Sequence, residues 1–213
     1  PDGHAAQGAR RARVPHALQR QLAQDADALA VGDWVLAECG DGLADLWVRH
    51  RLPPRNQLAR RLHDGRDKVA RVVIVSNVDL AVLVMGLDHD YNPRRLQRYL
   101  ALTRMAGVPA VVVLTKADLA PPAAQQHRAE LPDQAPAGTP VLALSALDPQ
   151  APKALLPWMQ PGQTLVLLGS SGAGKSTLTN ALCAAKLQDT GPVRAADSHG
   201  RHTTTVRSLH RTP

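Results

Sequence analysis

Phenylalanine is absent from this sequence, and its aromatic residues, two tyrosines and three tryptophans, make up only 2% of 213 residues. The core must therefore be built from Leu, Val, Ile and Ala. The base-stacking platforms on which single-strand nucleic-acid binders rely are scarce. Cysteine is nearly absent too: Cys39 and Cys183 stand alone, giving neither a disulfide framework nor a C-x-x-C metal site, which fits a reducing, cytoplasmic compartment. There is no run of 18 apolar residues and no signal-peptide core, so the sequence offers no membrane span and no membrane partner is expected. A start at Pro1 rather than Met reads as a trimmed piece of something longer.

What is present is apolar enough to bury a real core, at 44% hydrophobic residues, and long enough for one or two domains. The formal charge is +7, and it is concentrated. Arg49, Arg51, Arg55, Arg60, Arg61, Arg66, Lys68 and Arg71 face only Asp64 and Asp67 in one segment, a local surplus of +6. Such a stripe suits a polyanion such as RNA, through phosphate contacts and counterion release. By itself it equally suits a solvated surface that keeps the protein soluble.

The most informative stretch is Gly169-Ser170-Ser171-Gly172-Ala173-Gly174-Lys175-Ser176, preceded by the apolar run Leu165–Leu168 and followed by the helix-like Thr177–Leu182. This is G-x-x-x-x-G-K-[ST] in the strand–loop–helix context the motif needs. Backbone N–H groups and a helix N-terminus can then cradle phosphates, Lys175 reaches the β- and γ-phosphates, and the Ser176 hydroxyl ligates Mg²⁺. The loop lies late in the chain: too few residues follow Ser176 to complete a doubly wound domain of ~100–150 residues. Its sheet must come from upstream.

Upstream, short alternating segments at residues 31–38 and 44–49 flank a turn at Cys39–Gly42 and read as a β-hairpin in a small antiparallel domain, with Trp34 and Trp47 as core residues. From Arg71 the rhythm changes to continuous apolar runs, at residues 72–75, 80–85, 110–114, 141–144 and 165–168, which read as buried parallel strands. Asn92-Pro93 is a helix start, Leu96, Tyr99, Leu100 and Thr103 recur at helical spacing, and Gly107 with Pro109 closes the helix. Ligands of such sheets gather at the carboxyl ends of the strands. Three strands there deliver polar groups.

One of them delivers Thr115-Lys116-Ala117-Asp118, one residue from N-K-x-D. An ionised Asp118 would accept from guanine N1–H and the exocyclic amine, and an unmatched base would leave it unpaired, so the site discriminates. Lys116 would lie along the base, and the Thr115 hydroxyl would brace neighbouring loops. Ser145-Ala146 adds a weaker element, an Ala N–H for the base O6. Downstream, Gly200–Thr205 is a polar stretch in which Thr204 or Thr205 would complete Mg²⁺ coordination and His202 would polarise the attacking water; a plain surface His is the bland alternative.

In this order, Gly32-Asp-Trp-Val35, Asn77-Val-Asp79, Asp90–Arg95, Arg98-Tyr-Leu100, Thr115–Leu119, the phosphate loop and Gly200–Thr205 resemble the circularly permuted GTPases, most closely the ribosome-small-subunit-dependent family known as RsgA or YjeQ. The resemblance implies an α/β fold: residues 1–70 as an antiparallel OB-fold barrel facing rRNA, and residues 71–213 as a circularly permuted P-loop GTPase domain, a mostly parallel sheet with helices on both faces. It implies GTP/GDP with Mg²⁺, a role in late maturation of the small (30S) subunit, and hydrolysis stimulated by that particle, from a monomer. The family's D-x-P-G element should follow Thr205 but does not appear before Pro213, and its Cys/His zinc domain is likewise absent. A protein ending here is expected to bind nucleotide with little hydrolysis.

Two other readings compete. An adenine-nucleotide ATPase or kinase would use Asp88, after the strand at residues 80–85, to hold Mg²⁺ through water, but leaves Thr115–Asp118 unexplained. An RNA-binding module with a vestigial nucleotide site would need no hydrolysis.

Overall fold

The computed structural model describes residues 10–39, 46–63, 69–119, 126, 129–131, 135–184 and 207–213. The chain divides into two compact units, Pro1–Ser76 and Asn77–Pro213.

In the first unit, β1 (Ala12–Arg13) and α1 (His16–Gln24) precede β2 (Val35–Cys39), β3 (Leu46–Arg51), β4 (Gln57–His63) and β5 (Val69–Ser76). The expected hairpin is present: β2 and β3 pair antiparallel with Val35 opposite Arg51 and Cys39 opposite Leu46, and β1 lies parallel to β3. β4 and β5 form a second antiparallel pair, Gln57 opposite Ser76. The described strands thus make one three-stranded and one two-stranded sheet.

Three expectations are corrected here. The run at residues 72–75 is not a parallel strand of the nucleotide domain: it belongs to β5, so the first unit extends to Ser76 rather than residue 70. Within it Val73 and Val75 are buried while Val72 and Ile74 are only half-buried, the one-sided pattern of a hairpin strand. Trp34 is not a core residue but 70% exposed, because it leads into β2, whose five residues are all exposed. Trp47 is half-buried under the guanidinium of Arg13, 5.5 Å from the ring centroid.

Arg51, counted among the phosphate-binding cations, is instead spent internally. Its side chain is 6% exposed, Nη2 donates to Asp27 Oδ2 at 2.8 Å, and Nε lies 3.7 Å from Asp33 Oδ1. Arg71 reaches Asp27 Oδ1 at 3.5 Å and donates to Gln57 Oε1 at 2.9 Å. The Asp27 carboxyl, opposed by partial burial but held ionised by hydrogen bonds from Arg51, the Ala28 N–H and Gln57, titrates below its ordinary value.

The second unit contains β6 (Leu80–Gly86), α2 (Pro93–Met105), β7 (Ala110–Thr115), β8 (Val141–Ala143), α3 (Ala151–Leu155), β9 (Leu165–Leu168) and α4 (Lys175–Leu182). Its four described strands are all parallel, in the order β8-β7-β6-β9. Both faces of β6 and β7 are covered, which is why they read as continuous apolar runs. Leu80, Val82, Val84, Val111 and Val113 pack with Leu155 of α3 and Leu178 of α4. The alternate residues Ala81, Leu83 and Met85 are also buried, with α2 against β6 through the buried stripe Leu96, Leu100 and Thr103. Each such Val or Leu contributes about 1.5–3 kcal/mol of burial. Asn92 caps α2 as expected, its Oδ1 accepting from the Arg95 N–H at 2.9 Å.

Candidate functional site

Because the sheet is parallel, the carboxyl ends of its four strands share one edge, and each carries polar residues. β9 runs into the phosphate loop, residues 169–174, and the loop into α4, whose first residues are Lys175, Ser176 and Thr177. Gly169 admits no side chain, since a Cβ there would lie 2.2 Å from the Val84 carbonyl oxygen. Gly174 caps α4 at φ 90, a left-handed conformation that glycine adopts without penalty. Lys175 folds back over its own loop, Nζ donating to Gly169 O at 3.1 Å and Ser170 O at 2.5 Å. Burial lowers its pKa, with the Asp90 carboxylate opposing and Arg95 reinforcing the shift. A bound phosphate would favour the charged form that burial disfavours.

β7 ends in Thr115, fully buried, whose Oγ1 donates to the Ala173 carbonyl at 2.7 Å. The Thr115 hydroxyl, standing where N-K-x-D has an Asn amide, thus braces the tetrad against the phosphate loop. Lys116 follows at φ 61, a costly conformation for a residue with a side chain, and Ala117–Leu119 form a single 3-10 turn that leaves Asp118 exposed. The Ala117 N–H donates to Leu144 O at 3.4 Å, bringing the turn beside the end of β8, where half-buried Ser145 and Ala146 follow. The structure thus gathers Thr115, Lys116, Ala117, Asp118, Ser145, Ala146 and the loop at one edge. His202, Thr204, Thr205, Arg66 and Lys68 lie outside the described residues.

The loop after β6 was the part least visible in sequence. β6 is flanked by β7 and β9, so its end lies between base side and phosphate side. Asp88 Oδ2 accepts from Lys116 Nζ at 2.5 Å. Although partial burial opposes its charge, that hydrogen bond and one from the Asp90 N–H hold its carboxyl below the ordinary range. The adenine reading gave Asp88 to a metal; here it seats the base-side lysine. Asp90 turns the other way, accepting from Ser170 Oγ at 2.5 and 2.6 Å and from Arg95 Nη2 at 2.6 Å. Two acidic residues just past a strand end were the available signal.

For magnesium the donor chemistry fits: Ser176 offers a hard hydroxyl oxygen at the helix start beside the phosphate cradle, as a cation sharing phosphate oxygens and waters requires. Among the described residues no cluster of three or more His, Cys, Asp or Glu could hold a metal, and no helix is long and apolar enough to cross a membrane.

Residues 52–213 match the family model described as RsgA GTPase. The chain belongs to the RsgA GTPase family. It is 39% identical over 193 residues to the small ribosomal subunit biogenesis GTPase RsgA of Leptospira interrogans, covering 90% of this chain and 52% of that protein. It is 44% identical over 191 residues to the RsgA of Xanthomonas oryzae, covering 90% and 50%. The chain therefore spans about half the length of the curated relatives it matches. The crystal structure of YjeQ from Thermotoga maritima superimposes with a TM-score of 0.58 at 22% identity, over 80% of this chain and 55% of that one, and shares the fold. In this RsgA-family chain the tetrad Thr115–Asp118 at the end of β7 precedes the phosphate loop that follows β9.

Proposed function

We propose that this chain binds GTP and GDP with Mg²⁺, hydrolyses GTP, and acts in late maturation of the small ribosomal subunit; its RsgA relatives are named as small ribosomal subunit biogenesis GTPases. One observation carries the reading: a tetrad of guanine-reading type and a phosphate loop stand at the ends of the two strands that flank β6, and are joined by Thr115 Oγ1 to Ala173 O at 2.7 Å. Asp118 accepts from the guanine N1–H and amine, Ala146 offers its N–H to O6, and Lys116 lies along the ring. The loop amides, the N-terminus of α4 and Lys175 neutralise the phosphates, Lys175 leaving its resting carbonyls to do so. Ser176, with Thr204 or Thr205, would hold the magnesium ion, which offsets charge on the transferring phosphate. His202 would polarise the attacking water.

The first unit is proposed as an OB-fold-like module facing rRNA, in a cytoplasmic, monomeric protein. Arg60 and Arg61 of β4 are exposed, as is Arg55, whereas Arg51 leaves the contact set for the reason given above. Family membership and the pairing of Asp88 with Lys116 favour guanine over the adenine alternative.

The test is competition for labelled GDP on the full-length protein, followed by GTP turnover with and without purified small subunits. GTP should displace the label at concentrations where ATP does not, and small subunits should raise turnover. Equal displacement by ATP overturns the guanine reading, and turnover unmoved by the particle overturns the ribosomal one.

A further inference from the structure

We infer that Asp90 is a positioning residue for the phosphate loop, holding it in a nucleotide-accepting form through Ser170; the inference rests on the guanine-nucleotide reading above. The carboxylate is 10% exposed and has two anchors besides the loop. Arg95 Nη2 donates to Oδ1 at 2.6 Å and also to the Asp90 carbonyl oxygen. The Gly86 N–H, at the end of β6, donates to Oδ2 at 3.3 Å. Asp90 is thereby fixed to the first turn of α2 and to the central strand, both rigid parts of the second unit. On its other side it takes the Ser170 hydroxyl symmetrically, at 2.5 and 2.6 Å.

Ser170 is the second residue of the loop, and its carbonyl is one of the two on which Lys175 Nζ rests. A displaced Ser170 would therefore misplace both the amide cradle and the lysine. Asp90 also lies close enough to Lys175 to favour its charged form against burial. A negative side chain beside a phosphate site repels the ligand unless its charge is answered, and Arg95 answers it. The arrangement gives the loop a rigid acceptor with little net field.

The experiment measures release of a fluorescent GDP from the full-length protein for wild type, Asp90→Ala, Ser170→Ala, the double variant and Asp90→Asn. Each alanine variant should release GDP about tenfold faster, as expected for losing a hydrogen bond to a charged group. The double variant should be no faster than the worse single, because both break one contact. Asp90→Asn, which still offers an oxygen to Ser170, should recover part of the loss. A merely structural role would not couple the two positions. Wild-type release from Asp90→Ala, or additive effects in the double variant, overturns the inference alone. If Asp90→Ala does not fold, wild-type release from Ser170→Ala does the same. A wild-type protein that binds no GDP overturns the underlying reading with it.

Discussion

The Thr115 hydroxyl donates to the Ala173 carbonyl oxygen at 2.7 Å, across 58 residues of sequence, and so joins the two halves of the candidate site through one buried contact. Thr115→Val keeps the shape and removes the donor. Leaving the buried Ala173 carbonyl without this partner should cost about 1–3 kcal/mol of stability and weaken GDP binding by about fivefold or more. Thermal unfolding and titration of the variant with GDP check both. An unchanged affinity would mean that the loop holds itself.

Gly169→Ala places a methyl 2.2 Å from the Val84 carbonyl oxygen, which is backbone of the central strand and cannot swing away. The substitution should separate β9 from β6 and abolish nucleotide binding while the first unit stays folded. Hydrogen exchange on Leu83 and Leu168, opposite one another in the ladder, reports the separation.

Asp88→Asn should weaken GDP binding about three- to tenfold, because the Lys116 ammonium loses its charged acceptor. The folded carboxyl titrates below its ordinary value, so its contribution to stability is fully present above the ordinary carboxyl pKa and is lost as pH falls through the lower folded value. Calorimetric titration of the variant decides. Wild-type affinity would make the pair an ordinary half-exposed ion pair of little worth.

In the first unit, Arg51→Ala removes the buried cation that faces both Asp27 and Asp33, leaving them Arg71, Gln57 and backbone N–H groups, and should cost about 3 kcal/mol. Asp27→Asn should cost less, and its deficit has a defined pH course. The folded Asp27 carboxyl lies below 3.8, so the deficit is complete above that pH and shrinks as pH falls below it. Urea unfolding of wild type and variant at pH 6.5 and 3 tests the sign.

Arg61→Ala should leave stability unchanged and, if the exposed cations of β4 meet rRNA phosphates, lower the salt slope of RNA binding by about 1. Filter binding across a salt series measures it. A slope equal to wild type removes Arg61 from the interface.

The phosphate loop, the capped helix α2 and the doubly covered strands β6 and β7 were legible because each rests on a local rule: glycine spacing, an Asn-Pro start, an apolar run of strand length. Thr115 was legible by its place in a tetrad. β5 was misplaced because four consecutive apolar residues look alike whether one face or both are buried, and only its pairing with β4 distinguishes them. α1 went unread, since Leu18 and Leu22 are too few apolar residues to show a period and the helix buries none of its residues. Asp90 and Ser170 are 80 residues apart, and no local pattern announces a hydrogen bond between them.

The strand order β8-β7-β6-β9 also orders events during synthesis. Three neighbouring strands and Thr115–Asp118 leave the exit tunnel first, and can assemble as a template whose open edge is β6. Of the described strands β9 emerges after these three and docks on that edge, carrying the phosphate loop with it. A ligand that needs the loop is then captured only after β9 has docked, so that binding would report on the pairing of β6 with β9.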